Sequence, residues 1–476
     1  MYDIVIIGAG VTGSLLAREL SRYELSVLLL DKENDVGNVT SSANSAIVHS
    51  GYDPVPGTLK AKLNVLGCKM YPTLCEELDV SFGKCGTLTV VTNESQWGLF
   101  KDLVDRANAN GAEIQTLSAE EVKKMEPNIT KNVLGAIFAP EAGIVNPFEF
   151  VIHAAENAVD NGVELRLNTE VISIDKINDH FVVKTNNKDI ETKSVINCAG
   201  LYADKIASMI EDVSWSITPR KGEYFILDHK MKGLVSRPIF PLPSEKGKGI
   251  LVAPTTSGNY YLGPSSEVVE DKDDYGTDAP TLCNVRTQAF DLVDNIPMGD
   301  NIRVFSGLRA TPSTHDFIIG FSDKYKEFIN VAGIESPGFA SSPAIANYVI
   351  DNFVKKLFPL KNKESFNPYV KKRVKVKTLS IEERNKLIKQ NPEYGKIVCQ
   401  CEQISLGEMK DELSRSVPPR SLKGMKRRVR SGFGKCQGGY CYPRVLEILC
   451  DYYKCDPTEV NYDSENTNVV IKKKVN

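Results

Sequence analysis

Near its start the chain carries Gly8-Ala9-Gly10-Val11-Thr12-Gly13, set between an apolar run at 2–8 (YDIVIIG) and a stretch with helical spacing at Leu15, Leu16, Ala17 and Leu20. A second apolar run, LSVLLLD, lies at 25–31. Strand, helix and strand within about 30 residues make a βαβ unit, whose strands lie parallel in a sheet covered on both faces. The glycines have separate mechanical tasks: Gly8 makes the tight turn, Gly10 lets backbone approach a pyrophosphate, and Gly13 lets helix pack on strand. Thr12 belongs to the same anion-attracting helix start. Asp31 ends the second strand, where its carboxylate can accept from an adenosine ribose hydroxyl, with Lys32 beside it. FAD and NAD share this fingerprint, so the loop alone does not choose between them.

Three segments farther along the chain favour FAD. The polar loop KENDVGNVTSSANSAIVHSG supplies the Thr40, Ser41, Ser42 and Ser45 hydroxyls, enough to line a long cofactor from its pyrophosphate toward a ring. VINCAGLYAD (195–204) reads as a buried strand ending at Ala199 and Gly200, where small residues permit close approach. NVAGIESPGFASSPAIANYVI (330–350) reads as a strand, a loop with Gly333, Ser336 and Gly338, and a helix begun by Phe339 and Ala340. The positive end of such a helix suits an anionic reduced flavin ring.

The fold class expected is α/β with an α+β insert. A Rossmann-like FAD-binding domain takes residues 1–80, 145–215 and 300–358; a β-rich substrate domain takes 81–144 and 216–299. A charged stretch at 359–395 reads as an extended, partly helical linker, and 396–455 as a small C-terminal module. With 476 residues, 42% of them apolar, and a net charge of -3, the chain can bury several cores and has no global attraction for nucleic acid or anionic lipid. No window of about eighteen apolar residues suggests a membrane span, so membrane contact is at most peripheral. The chain opens directly on a strand with no secretory signal ahead of it, and its eleven cysteines, an odd number, suggest reduced thiols in the cytoplasm. Cys68, Cys75, Cys85, Cys198 and Cys283 lack paired spacing and read as packing residues.

Four cysteines differ. Cys399-Gln400-Cys401 is followed after 34 residues by Cys436 and after four more by Cys441, a pattern that folding can close into a four-thiolate site. Zinc and [2Fe-2S] both use such sets; C-x-C is unusual for structural zinc, whereas iron–sulfur centres tolerate varied spacing. Lys423, Lys426, Arg427, Arg428, Arg430 and Lys435 surround the site without an intervening acid. The run reads as a solvated helix face, as an offset to an anionic centre, or as a dock for an acidic redox partner. Aromatic residues do not interleave it, which argues against nucleic acid.

The ordered motifs GAGVTG, SSANSAIVHSG, INCAGLYAD, SGLRATPSTHDFIIG and AGIESPGFASSPAIA resemble FAD-dependent oxidoreductases of the D-amino-acid-oxidase type of fold. More narrowly they are similar to the branch of glycerol-3-phosphate dehydrogenases and oxidases and L-2-hydroxyglutarate oxidases. The tail, with KCQGGYCYPRVLEIL, resembles bacterioferritin-associated-ferredoxin-like [2Fe-2S] domains. Together they look most like the catalytic A subunits of anaerobic glycerol-3-phosphate dehydrogenases.

The resemblance implies FAD and a [2Fe-2S] cluster on Cys399, Cys401, Cys436 and Cys441, a small anionic substrate (glycerol 3-phosphate, a 2-hydroxy acid or an amino acid), and a redox partner subunit or quinone. It implies that His49 acts as catalytic base, a histidine's ordinary pKa being about 6.5, and that Arg309 clamps the anion through its planar fork. The blander readings are a core histidine and an exposed arginine. Val171 and Gly307 join the expected cofactor contacts. Lys221 and Tyr224, or Tyr261, are candidates to line the substrate pocket. Lys60 and Lys62 read more readily as solvated helix lysines, and His315 as a loop histidine without a role.

Overall fold

A computed structural model describes residues 1–230, 233–243 and 249–471; positions 231–232 and 244–248 of the expected substrate domain lie outside the described residues. The βαβ unit is β1 (Tyr2–Ile7), α1 (Val11–Leu20) and β2 (Val27–Leu30). β1 pairs in parallel with β2 on one side, Ile7 opposite Leu30, and with Ile190–Asn197 on the other, Ile7 opposite Asn197. Glu164–Arg166 adds in parallel beyond β2, and Phe328–Ala332 beyond Ile190–Asn197. Every residue of β2 and of Phe328–Ala332 is buried, as parallel strands covered on both faces require. The carboxyl ends of these strands bring Gly8, Asp31, Cys198–Gly200 and Gly333 to one rim, where open α/β sheets bind ligands.

One face of the sheet carries α1, the helix Pro147–Asp160 and the helix Gly338–Val349, packed with α2 (Leu59–Glu77) around a single apolar core. Asn146 caps the second of these, accepting from Phe148 and Glu149 N–H at 3.1 and 3.2 Å, with Pro147 where a missing N–H is harmless. Arg18 is wholly buried in α1 because Glu77 (2.5 Å), Asn157 (3.0 Å) and the Pro368 carbonyl (3.1 Å) satisfy its guanidinium.

A second, nine-stranded sheet lies beside the first. Its long members, Ile217–Leu227 and Asn301–Pro312, pair antiparallel along their whole length, Arg220 facing Arg309 and Gly222 facing Gly307. The expected boundary at residue 300 therefore differs from the structure: the strand Asn301–Pro312 completes the β-rich sheet before the chain returns to the first one at Ile318–Phe321, which pairs with Phe328–Ala332. A twelve-residue strand that satisfies its N–H and C=O groups against Ile217–Leu227 belongs by pairing to that sheet.

The 359–395 stretch does not hang free. Val370 N–H bonds the Glu77 carbonyl at 3.0 Å, Lys363 N–H bonds the Arg22 carbonyl at 2.7 Å, and Arg373 forms ion pairs with Glu156 and Glu412. It contains one helix of ten residues, Ile381–Gln390. The C-terminal module has a two-stranded ribbon (Ile397–Cys399 with Ile404–Ser405) and helices Leu406–Leu413, Leu422–Val429 and Tyr442–Tyr453 around Met409, Leu422, Met425, Val445 and Leu449. It extends past residue 455, since Val460 is buried in that core and Asp463 pairs with Lys423 and Arg427.

Candidate active site and iron–sulfur centre

At the nucleotide rim the glycines are sterically required. Gly8 has φ +107°, and a side chain there would overlap the Cys198 carbonyl; one on Gly13 would overlap the Gly8 carbonyl. Gly10 begins α1 without a side-chain cap, leaving N–H groups of the first turn directed outward; Ser41 Oγ accepts from Val11 N–H at 2.9 Å. Thr12 is buried in this turn. Asp31 accepts from Ala9 N–H at 2.6 Å and Glu33 N–H at 2.9 Å, and burial pushes its carboxyl up to about 6 against those two bonds. Lys32 stacks over Tyr202 at 4.0 Å, and Val171 is buried in the core under β2. Nothing fills the space a side chain at Gly200 would take, so the Ala199–Gly200 turn is open to a ligand. Bare helix N–H groups, an acidic strand end and an open Ala-Gly turn on one rim fit the pyrophosphate and adenosine of FAD.

The 40–45 loop leads from this rim to the second sheet. Thr40 Oγ1 donates to the Leu308 carbonyl at 2.8 Å, whereas Ser42 turns back on Asn38 and Val39. Gly307 abuts the Ala43 carbonyl so closely that no Cβ could be accommodated. Ser45 Oγ lies 3.2 Å from the Tyr224 hydroxyl, and the Tyr261 hydroxyl donates to the Ser45 carbonyl. On the far side of the rim, Gly333 has φ +66°, and Ser336 precedes the helix that Gly338 begins and Phe339 and Ala340 continue. Tyr71 donates to the Phe339 carbonyl at 2.5 Å, pinning that helix start to α2.

Alternation along the long strand pair decides which side chains meet. Arg309, Gly307 and Phe305 share a face with Gly222 and Tyr224; Tyr224 stacks on Phe305 at 4.5 Å. Arg309 Nη2 donates to the Ser265 carbonyl at 3.3 Å, while its Nη1 is buried with no partner. A Cβ on Gly222 would stand 2.9 Å from Arg309 Nη2, so the glycine makes room for the guanidinium. Burial pushes the Tyr224 hydroxyl up, and Arg309 and Ser45 hold it back. His49 comes directly after the short strand Ile47–Val48. It is buried, its ring centroid 5.7 Å from that of Phe240, and Asn64 donates to its backbone carbonyl at 2.7 Å. Phe240 shares an apolar cluster with Tyr224 and Tyr261. His49, Arg309, Tyr224, Tyr261 and Ser45 thus gather around one aromatic-walled site.

Lys221 does not join them. It lies on the opposite face of its strand and pairs with Asp274 at 2.9 Å, because odd and even positions of a strand face apart. Lys60 pairs with Glu335 at 2.7 Å, Lys62 lies over Tyr348, and His315 is exposed in a turn. Sequence reasoning missed Phe240, Phe305, Asn64 and Gly222. The period of two around Arg309 already marks Phe305 and Gly307 as its neighbours on one face. Burial pushes the thiols of Cys68 and Cys198 up to about 12, consistent with packing roles.

In the C-terminal module the four sulfurs sort into two pairs. Cys401 Sγ is 3.8 Å from Cys436 Sγ, and Cys399 hydrogen-bonds Cys441. Among the described residues no three His, Cys, Asp or Glu side chains close around a single point, and two pairs suit a two-iron centre. Backbone N–H groups stand ready for thiolates. The bond with Cys441, with help from Gly432 and Glu402 N–H, brings Cys399 down to about 6; burial would raise Cys436, but Tyr440 and Gly438 N–H hold it below the usual thiol range. Cys399 and Cys441 are buried and Cys401 is exposed.

Most of the basic stretch is not a solvated face, although Lys435 is exposed. Lys426, Arg427 and Arg428 are buried. Arg428 grips Asp35, in the loop after β2, at 2.7 and 2.9 Å; Arg427 and Lys423 hold Asp463, and Arg430 holds Glu402 and the Asn259 side chain. Buried guanidinium groups require such partners, and the first of them fastens the module to the nucleotide-binding domain.

The FAD dependent oxidoreductase family matches residues 3–352, and the BFD-like [2Fe-2S] binding domain matches 397–450. Over 474 residues the chain is 46% identical to a glycerol 3-phosphate dehydrogenase of Caloramator mitchellensis, covering 99% of this chain and 98% of that one. It is 33% identical to a glycerol 3-phosphate oxidase of Mycoplasma genitalium, covering 77% and 97%. Among solved structures, the L-alpha-glycerophosphate oxidase of Mycoplasma pneumoniae with FAD bound superposes with a TM-score of 0.74 at 30% identity, covering 78% of this chain and 98% of that one. The chain belongs to the FAD dependent oxidoreductase family and carries a BFD-like [2Fe-2S] domain. It is an FAD-dependent oxidoreductase of the glycerol-3-phosphate dehydrogenase type, and its cofactors are FAD and a [2Fe-2S] cluster. No helix among the described residues is long and apolar enough to cross a membrane.

Proposed function

We propose that the chain oxidises sn-glycerol 3-phosphate to dihydroxyacetone phosphate and that the electrons leave through the C-terminal module to a partner subunit or a quinone. The observation that carries the reading is Arg309, whose buried Nη1 has no protein partner beside Tyr224. A desolvated guanidinium edge calls for an anion, and a phosphate or carboxylate takes two of its N–H groups at once. When bound, FAD supplies a two-electron acceptor and the [2Fe-2S] cluster a one-electron carrier. Arg309 holds the phosphate, the aromatic wall of Tyr224, Phe240 and Tyr261 keeps water out, and His49 takes the hydroxyl proton as the secondary carbon is oxidised. The glycerol 3-phosphate dehydrogenase that matches this chain over 98% of its own length supports phosphate as the anion.

Support for the electron route comes from the strand Asn301–Pro312. Arg303, near its start, donates to Gln437 beside Cys436 at 3.3 Å, and Gly307, four positions on, packs against the 40–45 loop. Four residues of strand span about 13 Å, so the two centres are served by one strand.

Relatives named L-2-hydroxyglutarate dehydrogenase, such as that of Salmonella houtenae at 31% identity, favour a 2-hydroxy acid as the second reading. Anaerobic mixing decides between them. Bleaching of the flavin by glycerol 3-phosphate and not by L-2-hydroxyglutarate is expected, and the reverse would replace the substrate. Bleaching by neither, nor by an amino acid such as proline, with activity of the assembled complex unaffected by His49→Asn, would make the chain a non-catalytic electron-transfer subunit.

A further inference from the structure

Most cations of the module have a carboxylate: Asp463 for Lys423 and Arg427, Asp35 for Arg428, Glu402 for Arg430. Lys426 has none. It is 3% exposed, its ammonium lies over the Phe433 ring at 4.5 Å, and among the described residues its one hydrogen-bond partner is Gln437 Oε1 at 3.5 Å. Among the described residues no carboxylate stands within ion-pair reach of it. The charged groups around it are Arg303, Lys423 and Arg430, all of its own sign, and the Cys441 thiol. Arg303 reaches across from the substrate-domain sheet to the same Gln437 oxygen at 3.3 Å, and it too lacks a carboxylate among the described residues. Gln437 adjoins Cys436 in the chain, and its amide nitrogen is anchored to the Phe433 and Gly434 carbonyls at 3.2 and 3.1 Å, so its oxygen is fixed toward the two cations.

A buried ammonium among like charges is strongly unfavourable unless an anion nearby compensates it. Two ferric ions, two sulfides and four thiolates sum to a doubly negative unit, and Cys436, one of its expected ligands, adjoins the Gln437 that both cations share. We propose that Lys426 and Arg303 are the charge partners of the [2Fe-2S] centre and set its reduction potential. On reduction the centre gains one electron, no bond forms or breaks, and its negative charge rises by one. Fixed cations favour that more negative state and so raise the potential. The side chains are positioning residues, since neither ligates iron. Arg303 belongs to the strand that carries Arg309, so the potential is set partly by a residue outside the module and depends on the module's docking.

The test is an anaerobic redox titration of the purified holoenzyme with dithionite, following the reduced-cluster EPR signal. Lys426→Met and Arg303→Met are each expected to shift the midpoint to a more negative value with iron content and signal shape retained, and Lys426→Arg to restore it. Arg303 is half-buried on a long strand, so its variant carries the test should Lys426→Met lose iron. A potential unchanged by Arg303→Met, or unchanged in both methionine variants, overturns the proposal. Because the readout is the potential and not turnover, the outcome stands whichever alcohol proves to be the substrate.

Discussion

Removing Arg428 from the pair it forms with Asp35 should undock the module. Asp35 is buried; burial alone would raise its carboxyl, but Arg428 and then Arg427 hold it below the usual range. Arg428 donates to both Asp35 oxygens at 2.7 and 2.9 Å and to the carbonyls of Val417 and Gly424 at 2.9 and 3.0 Å. In R428M the carboxylate keeps the Val36 N–H at 2.9 Å and the Arg427 guanidinium at 3.7 Å, beyond hydrogen-bond length. Leaving such a charge buried costs about 3–5 kcal/mol, and the surviving Arg427 places this case near the lower figure. With a urea slope of about 2 kcal/mol/M, that is a midpoint lowered by roughly 1.5 M. The assay is urea unfolding of holoprotein, followed by loss of iron–sulfur absorbance. Asp35→Leu alone should cost a similar amount, and Asp35→Leu with R428M about 2 kcal/mol less than the two singles together, since the apolar pair strands no charge. Strict additivity, or single shifts under about 0.3 M, would refute the reasoning. The pH dependence has a definite sign. A carboxyl held below its unfolded value of about 3.9 contributes stability above that pH and loses it as pH falls through the folded value, so acid should undock the module.

At the oxidation site, Arg309→Met should raise KM for glycerol 3-phosphate about ten- to a hundredfold, the equivalent of about 1.5–3 kcal/mol for charge-assisted bonds; steady-state kinetics read it. His49→Asn should lower kcat about 100- to 10,000-fold while flavin content stays at wild-type level, as for loss of a general base. Lys221→Met, on the strand face opposite Arg309 and Tyr224 and paired with Asp274, should leave KM within about twofold of wild type, as expected of a residue tied to a partly exposed carboxylate. Gly307→Val should give protein without flavin absorbance, since its side chain would displace the Ala43 carbonyl and the loop it belongs to.

The nucleotide-binding half was legible because its signals are local: a glycine at positive φ, one against a carbonyl and an acid at a strand end are all fixed within thirty residues. The positions of Arg309 and Tyr224 on one face, and of Lys221 on the other, come from a period of two, but only after the register against Asn301–Pro312 is known. That register is a long-range pairing that no local pattern specifies. The basic run misled for the same reason: Lys423, Arg427, Arg428 and Arg430 pair with Asp35, Glu402 and Asp463, acids remote in sequence from most of the cations that need them. Six cations without a neighbouring acid look solvated until the fold supplies distant carboxylates to four of them. The spacing of Cys399, Cys401, Cys436 and Cys441 marked a four-thiolate site; their sorting into two pairs required the fold.

Arg428 locked onto Asp35 has a consequence for how current can flow. On the route proposed above, a carrier nailed to its own donor domain cannot shuttle, so the acceptor has to meet it at the side where Cys401 lies open while Cys399 and Cys441 stay covered.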